Sequence, residues 1–216
     1  MTDALWRALP QTVSEALGCI AFLLHILAFV IYGRQVLSSR IRANVATWLM
    51  WLFGGIVDWL TYKSIDGAHW STSALPFADV LGVAVVCGAI LVAQRKARGN
   101  TAGIVYHRPD KGDYYLVGFD VIALGVWGAG WGAALANDIS VGTTILQFIP
   151  IWKTTYRDPD GESALPWLFW SIGYVLMLGA LVSGDGRGNP ELYFLPAYYL
   201  ALHLVVLYLA LRCRSR

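Results

Sequence analysis

Three carboxylates lie inside long apolar stretches of this sequence, where ionisable groups are rare: Asp58, Asp79 and Asp120. A charged side chain at the centre of a bilayer costs about 2.5 to 3.5 kcal/mol on insertion scales, so it generally faces a cavity or a partner. We expect Asp79 to bind a solute or a proton; the alternative is a helix cap, because an acid is stabilised near a helix N-terminus. For Asp58 the alternative to binding is a structural hydrogen bond, and for Asp120 we favour a structural role.

Other polar and aromatic residues in the apolar stretches extend this candidate site. The polar residues of this candidate site are Asp79, Asp58, Gln147, Thr143 and His203. Gln147 and Thr143 are four positions apart, which places both on one face of a helix. Four further tryptophans near helix ends are interpreted as anchors at the membrane interface: Trp48, Trp51, Trp167 and Trp170.

The composition shows what kind of element must position these side chains. The chain has 216 residues, 57% hydrophobic and 14% charged, with a mean hydropathy of +0.54, whereas soluble domains carry about 25% charged residues. A helix that crosses a membrane needs about 20 mostly apolar residues. Seven stretches qualify or nearly qualify: 15–33, 44–63, 74–94, 114–136, 138–154, 164–183 and 191–211. We therefore predict an all-α membrane protein with seven transmembrane helices.

The loop charges predict how these helices are oriented. Of the 16 lysines and arginines, all but Arg7, Lys63 and Arg187 fall on one side of this helix arrangement. By the positive-inside rule, the N-terminus lies outside and the C-terminus in the cytoplasm. The formal net charge of +2 does not point to a nucleic acid partner, since the positive residues are loop residues.

A repeated pattern divides the chain into two similar units. The segment 47–51 (TWLMW) matches 166–170 (PWLFW) at an offset of 119 positions, and 74–76 (ALP) matches 194–196 (FLP) at an offset of 120. These matches predict an outer tail at 1–14, a three-helix repeat at 15–96, a basic loop and linker helix at 97–137, a second three-helix repeat at 138–211 and a basic tail at 212–216. A single helix between two three-helix units keeps them parallel, an arrangement found in transporters.

Short motifs give the chain a resemblance to the PQ-loop and SWEET (MtN3) transporter superfamily. The segment 59–62 (WLTY) is similar to the family's Trp-x-x-Tyr, 78–82 (ADVLG) is similar to its Ala-Asn-x-x-Gly, and Pro150 stands where the second PQ-loop has its proline. The resemblance implies two parallel three-helix units joined by a linker helix, a solute-facing Trp59, and Asp79 at a substrate-binding position. The resemblance thereby adds Trp59 and Tyr199 to the predicted solute-binding residues. The first loop lacks the proline, the second lacks the Gln after Pro150, and Tyr199 stands near the second Asn position; these three departures weaken the case for a hexose.

These patterns predict a carrier for a small polar solute, such as a sugar, an amino acid or a vitamin-like molecule, that works by alternating access. Asp79 would accept a proton during the cycle or pair with a cationic solute. The predicted hinges are Gly33, Pro150 and Pro166, because a proline removes a backbone donor and permits bending.

The alternatives belong to other classes of protein. One is a non-transporting receptor or scaffold of the same fold, and a more remote one is a haem-binding redox protein with His25 and His203 as ligands. No catalytic constellation is assembled in the sequence, so neither an enzyme activity nor a metal or cofactor is predicted. The expected partners are the solute and the lipid bilayer, and a homo-oligomer is left open.

Overall fold

The computed structural model describes residues 2–41, 43, 45–97, 111–184 and 186–212. Within them the chain forms seven α-helices: α1 (Thr2–Leu37), α2 (Val45–Tyr62), α3 (Trp70–Ala97), α4 (Lys111–Gly128), α5 (Ala133–Arg157), α6 (Ala164–Ser183) and α7 (Glu191–Leu211). A short 3-10 turn at Pro159–Gly161 lies between α5 and α6. The predicted all-α class is confirmed for these residues.

Four of the described helices are long and apolar enough to cross a membrane: Gln11–Leu37, Trp70–Lys96, Ala164–Ser183 and Glu191–Leu211. The stretch Val117–Gly128 in α4 is apolar but shorter. Two further helices carry buried polar side chains: Asp58 and Thr61 on α2, and Asn137, Ser140, Thr144 and Gln147 on α5. These helix lengths and compositions are those of a helical membrane protein.

Two predicted boundaries differ from the structure. Residues 2–14, predicted as a tail, form the start of α1, and the Ser14 hydroxyl donates to the carbonyl of Ala180 at 2.9 Å, which ties this end of α1 to α6. The boundary predicted at residues 137 and 138 lies instead between Gly128 and Ala133. Gly130 and Gly132 form this turn with φ of 78° and 106°, a region that glycine adopts without steric cost.

The two three-helix units share one internal order. In the first unit α3 packs against both α1 and α2, and in the second unit α7 packs against both α5 and α6. The third helix of each unit therefore lies between the first two. The helices α2 and α6 begin at Val45 and Ala164, which is the same offset of 119 positions that relates the two tryptophan motifs.

The units meet through equivalent helices. The first helix of each unit packs against the second helix of the other, α1 against α6 and α2 against α5, while α4 packs on α2 and α5. Glycines permit close approach of α1 and α3: a Cβ atom at Gly18 would collide with the backbone of Ser71, and one at Gly82 with the ring of Phe29. The interior between the units is where the candidate site lies.

Candidate functional site

A cavity lies between the two units. Every helix except α4 contributes to its wall. The lining residues are Phe29, Trp48, Trp51, Gly55, Asp58, Pro76, Asp79, Val83, Phe148, Trp167, Trp170, Tyr174, Leu195, Tyr199 and His203. The wall is therefore mostly apolar and aromatic with a few polar groups, which is the usual composition of a small-molecule site.

The two cavity carboxylates are each held by a tyrosine from the other unit. The Tyr199 hydroxyl donates to Asp58 Oδ2 at 2.6 Å, and the Tyr174 hydroxyl donates to Asp79 Oδ2 at 2.9 Å. The two tyrosine rings stack on each other, with centroids 5.6 Å apart and planes inclined by 12°. Asp58 and Asp79 belong to the first unit and both tyrosines to the second, so this network joins the units across the cavity.

A histidine lies on the far side of Asp79. His25 Nε2 is 3.6 Å from Asp79 Oδ1, and the His25 side chain is completely buried. Its ring occupies space that a side chain at position 173 would fill, since a Cβ atom at Gly173 would collide with the imidazole. The Tyr174 ring is 4.9 Å from the His25 ring and 5.1 Å from that of His203, between centroids. The structure thus places a tyrosine in contact with both histidines that the haem alternative would use.

The four tryptophans predicted as interface anchors line the cavity instead. Trp48, Trp167 and Trp170 are 1%, 0% and 2% exposed, and Trp51 is half-buried beside them, with its ring 5.1 Å from that of Trp48. The interpretation as anchors is wrong, because these rings pack against one another and against Phe148. Their nearness to helix ends in the sequence gave no information about which way they face.

Several buried polar atoms in the cavity wall have no hydrogen-bond partner among the described residues. They are Asp58 Oδ1, which is an acceptor, and the indole nitrogens of Trp51 and Trp170, which are donors. An unmade hydrogen bond on a buried group costs on the order of 1 to 3 kcal/mol. Any group that supplies the missing partners would recover that free energy.

The predicted site residues divide into two groups in the structure. Asp58, Asp79, Tyr199 and His203 come together in the cavity wall, and the His203 Nδ1 atom lies 2.7 Å from the Tyr199 carbonyl oxygen. The other three lie elsewhere.

Trp59, Gln147 and Thr143 are the residues outside the cavity wall. The Trp59 ring packs on Phe77, with centroids 5.0 Å apart, and the Lys63 ammonium lies 4.2 Å above it. Gln147 Nε2 donates to Asp120 Oδ2 at 3.3 Å, and the Thr143 hydroxyl donates to carbonyls of its own helix. The side chain one position further along, Thr144, is the one whose hydroxyl approaches Tyr199, at 3.4 Å.

Asp120 has the structural surroundings that we favoured for it. It is fully buried on α4 and accepts hydrogen bonds from the Ser140 hydroxyl at 3.1 Å and from Gln147 at 3.3 Å, both on α5. It fixes the linker helix to the second unit and does not line the cavity.

The predicted hinges occupy three different backbone settings. Gly33 lies inside α1, which continues to Leu37, and Pro150 lies inside α5, where its missing N–H leaves the helix one hydrogen bond short. Pro166 is the third residue of α6, a position whose amide has no partner within the helix, so it removes no helical hydrogen bond.

Two further prolines have a clearer structural consequence. Pro76 lies inside α3 and Pro196 inside α7, at equivalent positions of the two units. Because Pro196 has no N–H, the carbonyl of Leu192 lacks its helical donor, and it accepts the Tyr62 hydroxyl of the first unit at 3.0 Å. We call this end of the bundle the Tyr62 end; there the Asn189 amide also donates to the carbonyl of Asp66 at 2.7 Å.

A second contact joins the units at the opposite end, the Tyr32 end. The buried Tyr32 hydroxyl donates to Glu162 Oε2 at 3.2 Å. Glu162 lies just before α6, and its other oxygen accepts the Trp167 indole N–H at 3.1 Å and the Ser163 amide at 2.9 Å. Burial raises the pKa of the Glu162 carboxyl from 4.5 to about 7, although these three donors each lower it.

Four residues of the site were not predicted from the sequence: Tyr174, Glu162, Phe29 and Phe148. A single tyrosine in an apolar helix, or a glutamate in a loop, carries no signal of its own. The phenylalanines do: they are separated by 119 positions, like the tryptophan pairs. Identical residues at the repeat offset therefore mark much of the cavity wall.

The chain matches no family model, no curated protein and no solved structure with which it was compared.

Proposed function

We propose that this protein is a membrane carrier for a small polar solute, with seven transmembrane helices arranged as in the PQ-loop and SWEET superfamily. One observation carries the proposal: a largely apolar cavity with two carboxylates lies between two units whose helices contact each other in the same order. In transporters built from repeats, the solute site lies where the repeats meet, and rocking of one repeat against the other exposes it alternately to each side.

The contacts at the two ends of the bundle support this motion. The Tyr62–Leu192 contact joins the units at one end and the Tyr32–Glu162 contact joins them at the other. Each is a small number of hydrogen bonds, and a typical hydrogen bond contributes only about 0.5 to 1.5 kcal/mol net. Opening either end therefore requires the loss of few polar contacts.

The orientation is proposed from the charges. Arg34, Arg95 and Arg157 lie toward the Tyr32 end, while Lys63 and Arg187 lie toward the Tyr62 end. The positive-inside rule then puts the Tyr32 end in the cytoplasm and the Tyr62 end outside.

Uptake by purified protein in liposomes tests the proposal. A panel of radiolabelled hexoses, amino acids and small amines is offered, and we expect saturable, protein-dependent uptake of at least one class. Asp79→Asn should reduce that uptake strongly, whereas Asp66→Asn, a substitution of an exposed loop carboxylate, should leave it unchanged. Saturable binding without uptake of any bound compound would favour a receptor or scaffold of the same fold.

A further inference from the structure

We propose that the solute bound in this cavity is a small organic cation with an ammonium group. This inference rests on the proposed function, because it names the substrate class of the same site. It depends on three features of the wall: its charge, its aromatic faces and its open hydrogen-bonding atoms.

The charge of the wall is the first feature. Two carboxylates line the cavity, Asp58 and Asp79, and no lysine or arginine is among the lining residues that the structure describes. Asp58 is 3% exposed, and its Oδ1 atom has no hydrogen-bond partner within the described residues although Oδ2 accepts from Tyr199. Carboxylates in a cavity wall that has no lysine or arginine among its described residues are positions for a cationic group.

The aromatic faces are the second feature. Four tryptophans and two phenylalanines surround the remainder of the cavity: Trp48, Trp51, Trp167, Trp170, Phe29 and Phe148. Among aromatic side chains, tryptophan attracts a cation over its ring face most strongly, with an interaction of about 0.5 to 2 kcal/mol depending on desolvation, and aromatic cages bind alkylated ammonium groups. A neutral solute would gain only ordinary packing from the same rings.

The open donors are the third feature, and they restrict the remainder of the solute. The indole N–H groups of Trp51 and Trp170 are buried without acceptors among the described residues. A hydroxyl or carbonyl oxygen on the solute would satisfy them. A carboxylate on the solute would find these donors but no cationic side chain in the wall, so a solute with a net positive charge fits better than a zwitterion.

Equilibrium binding of radiolabelled choline to the purified protein in detergent tests the inference. Choline carries an ammonium group and a hydroxyl, and its neutral isostere 3,3-dimethyl-1-butanol has the same shape without the charge. We expect saturable binding of choline and a competition constant for the neutral isostere weaker by about tenfold or more. Equal competition by the two compounds, or no saturable binding of choline, would overturn the inference.

Matched carboxamide variants locate the binding site. Asp58→Asn and Asp79→Asn should each weaken choline binding by about tenfold, whereas Asp120→Asn, which replaces a buried carboxylate outside the cavity wall, should not. Equal loss in all three variants would show that the cation binds elsewhere or that the fold is disturbed, and would contradict the assignment. If an Asn variant fails to fold, the comparison of choline with its isostere on the wild-type protein still shows whether the positive charge is recognised.

The two proposals fail separately. Choline binding that depends on Asp58 and Asp79 without uptake into liposomes would leave the cation inference standing and remove the carrier. Uptake of a neutral solute by a protein that does not bind choline would leave the carrier standing and remove the cation inference.

Discussion

Asp79 is held from two directions by side chains that are far from it in the sequence. The Tyr174 hydroxyl donates to one of its oxygens, and His25 approaches the other at 3.6 Å. Asp58 accepts the Tyr199 hydroxyl on Oδ2, and it is the more deeply buried of the two carboxylates, since it is 3% exposed whereas Asp79 is half-buried. We therefore expect Asp79 to be the carboxylate that a solute reaches first.

Glu162, which lies just before α6, is expected to make the stability of the fold depend on pH. Its pKa is raised by burial from 4.5 to about 7, so the folded state binds the proton more tightly than the unfolded state. This stabilisation is complete below pH 4.5 and is lost as the pH rises through about 7. Relative to Glu162→Gln, we expect the wild-type free energy of unfolding to fall by about 3 kcal/mol over this interval, because each unit of pKa displacement corresponds to about 1.4 kcal/mol.

Thermal unfolding of both proteins in detergent between pH 4 and pH 8 measures this difference. The glutamine variant cannot ionise, and its amide oxygen can still accept from Trp167 and Ser163 while its NH2 group donates to the Tyr32 oxygen, so it serves as the reference. Parallel pH profiles of the two proteins would show that Glu162 does not titrate in this range.

For the helices, the sequence patterns predicted the positions and the repeat equivalence but not which side chains face the cavity. Apolar length located the helices, and the repeat offset predicted that α2 and α6 would be equivalent. The boundary between α4 and α5 was misplaced because Asn137 and Asp138 look like a polar break, whereas Asn137 is buried and donates to Thr61 and to the carbonyl of Asp58. A helix that is apolar on all sides has no pattern that marks its inward face. The sequence therefore could not predict that Trp48 faces the cavity.

Of the three predicted hinges, Pro150 is the proline that lies inside a helix, where it removes a backbone hydrogen bond. It lies inside α5, which packs against α2 of the other unit, and its missing N–H permits local bending. We expect Pro150→Ala to restore one helical hydrogen bond, to stiffen α5 and to slow uptake several-fold without lowering the unfolding temperature. Pro190→Ala is the control, since Pro190 is exposed and precedes α7. Equal uptake rates in wild type and Pro150→Ala would show that this proline serves only packing.

At the scale of the whole molecule, the proposed orientation is open to a direct check. The charge bias predicts a cytoplasmic C-terminus and an external N-terminus. A reporter that is active only in the cytoplasm, fused after residue 216, should be active, and an epitope placed before residue 1 should be accessible on intact cells. Detection of both ends on the same side would mean that an even number of helices crosses the membrane.

We propose that the two units rock about the cavity, so that one end opens while the other stays closed. Spin-label distances across both ends measure this motion, in a background in which the native cysteines are replaced. The label sites are exposed positions on opposite units: Ser64 with Arg187 at the Tyr62 end, and Ser38 with Asp160 at the Tyr32 end.

Two matched tyrosine variants shift the equilibrium in opposite directions. Tyr62→Phe removes the contact with Leu192, and Tyr32→Phe removes the contact with Glu162. We predict that Tyr62→Phe lengthens the distance at the Tyr62 end and leaves the Tyr32 end closed, and that Tyr32→Phe does the reverse. Distances that stay fixed in both variants, or that lengthen at both ends together, would contradict alternating access.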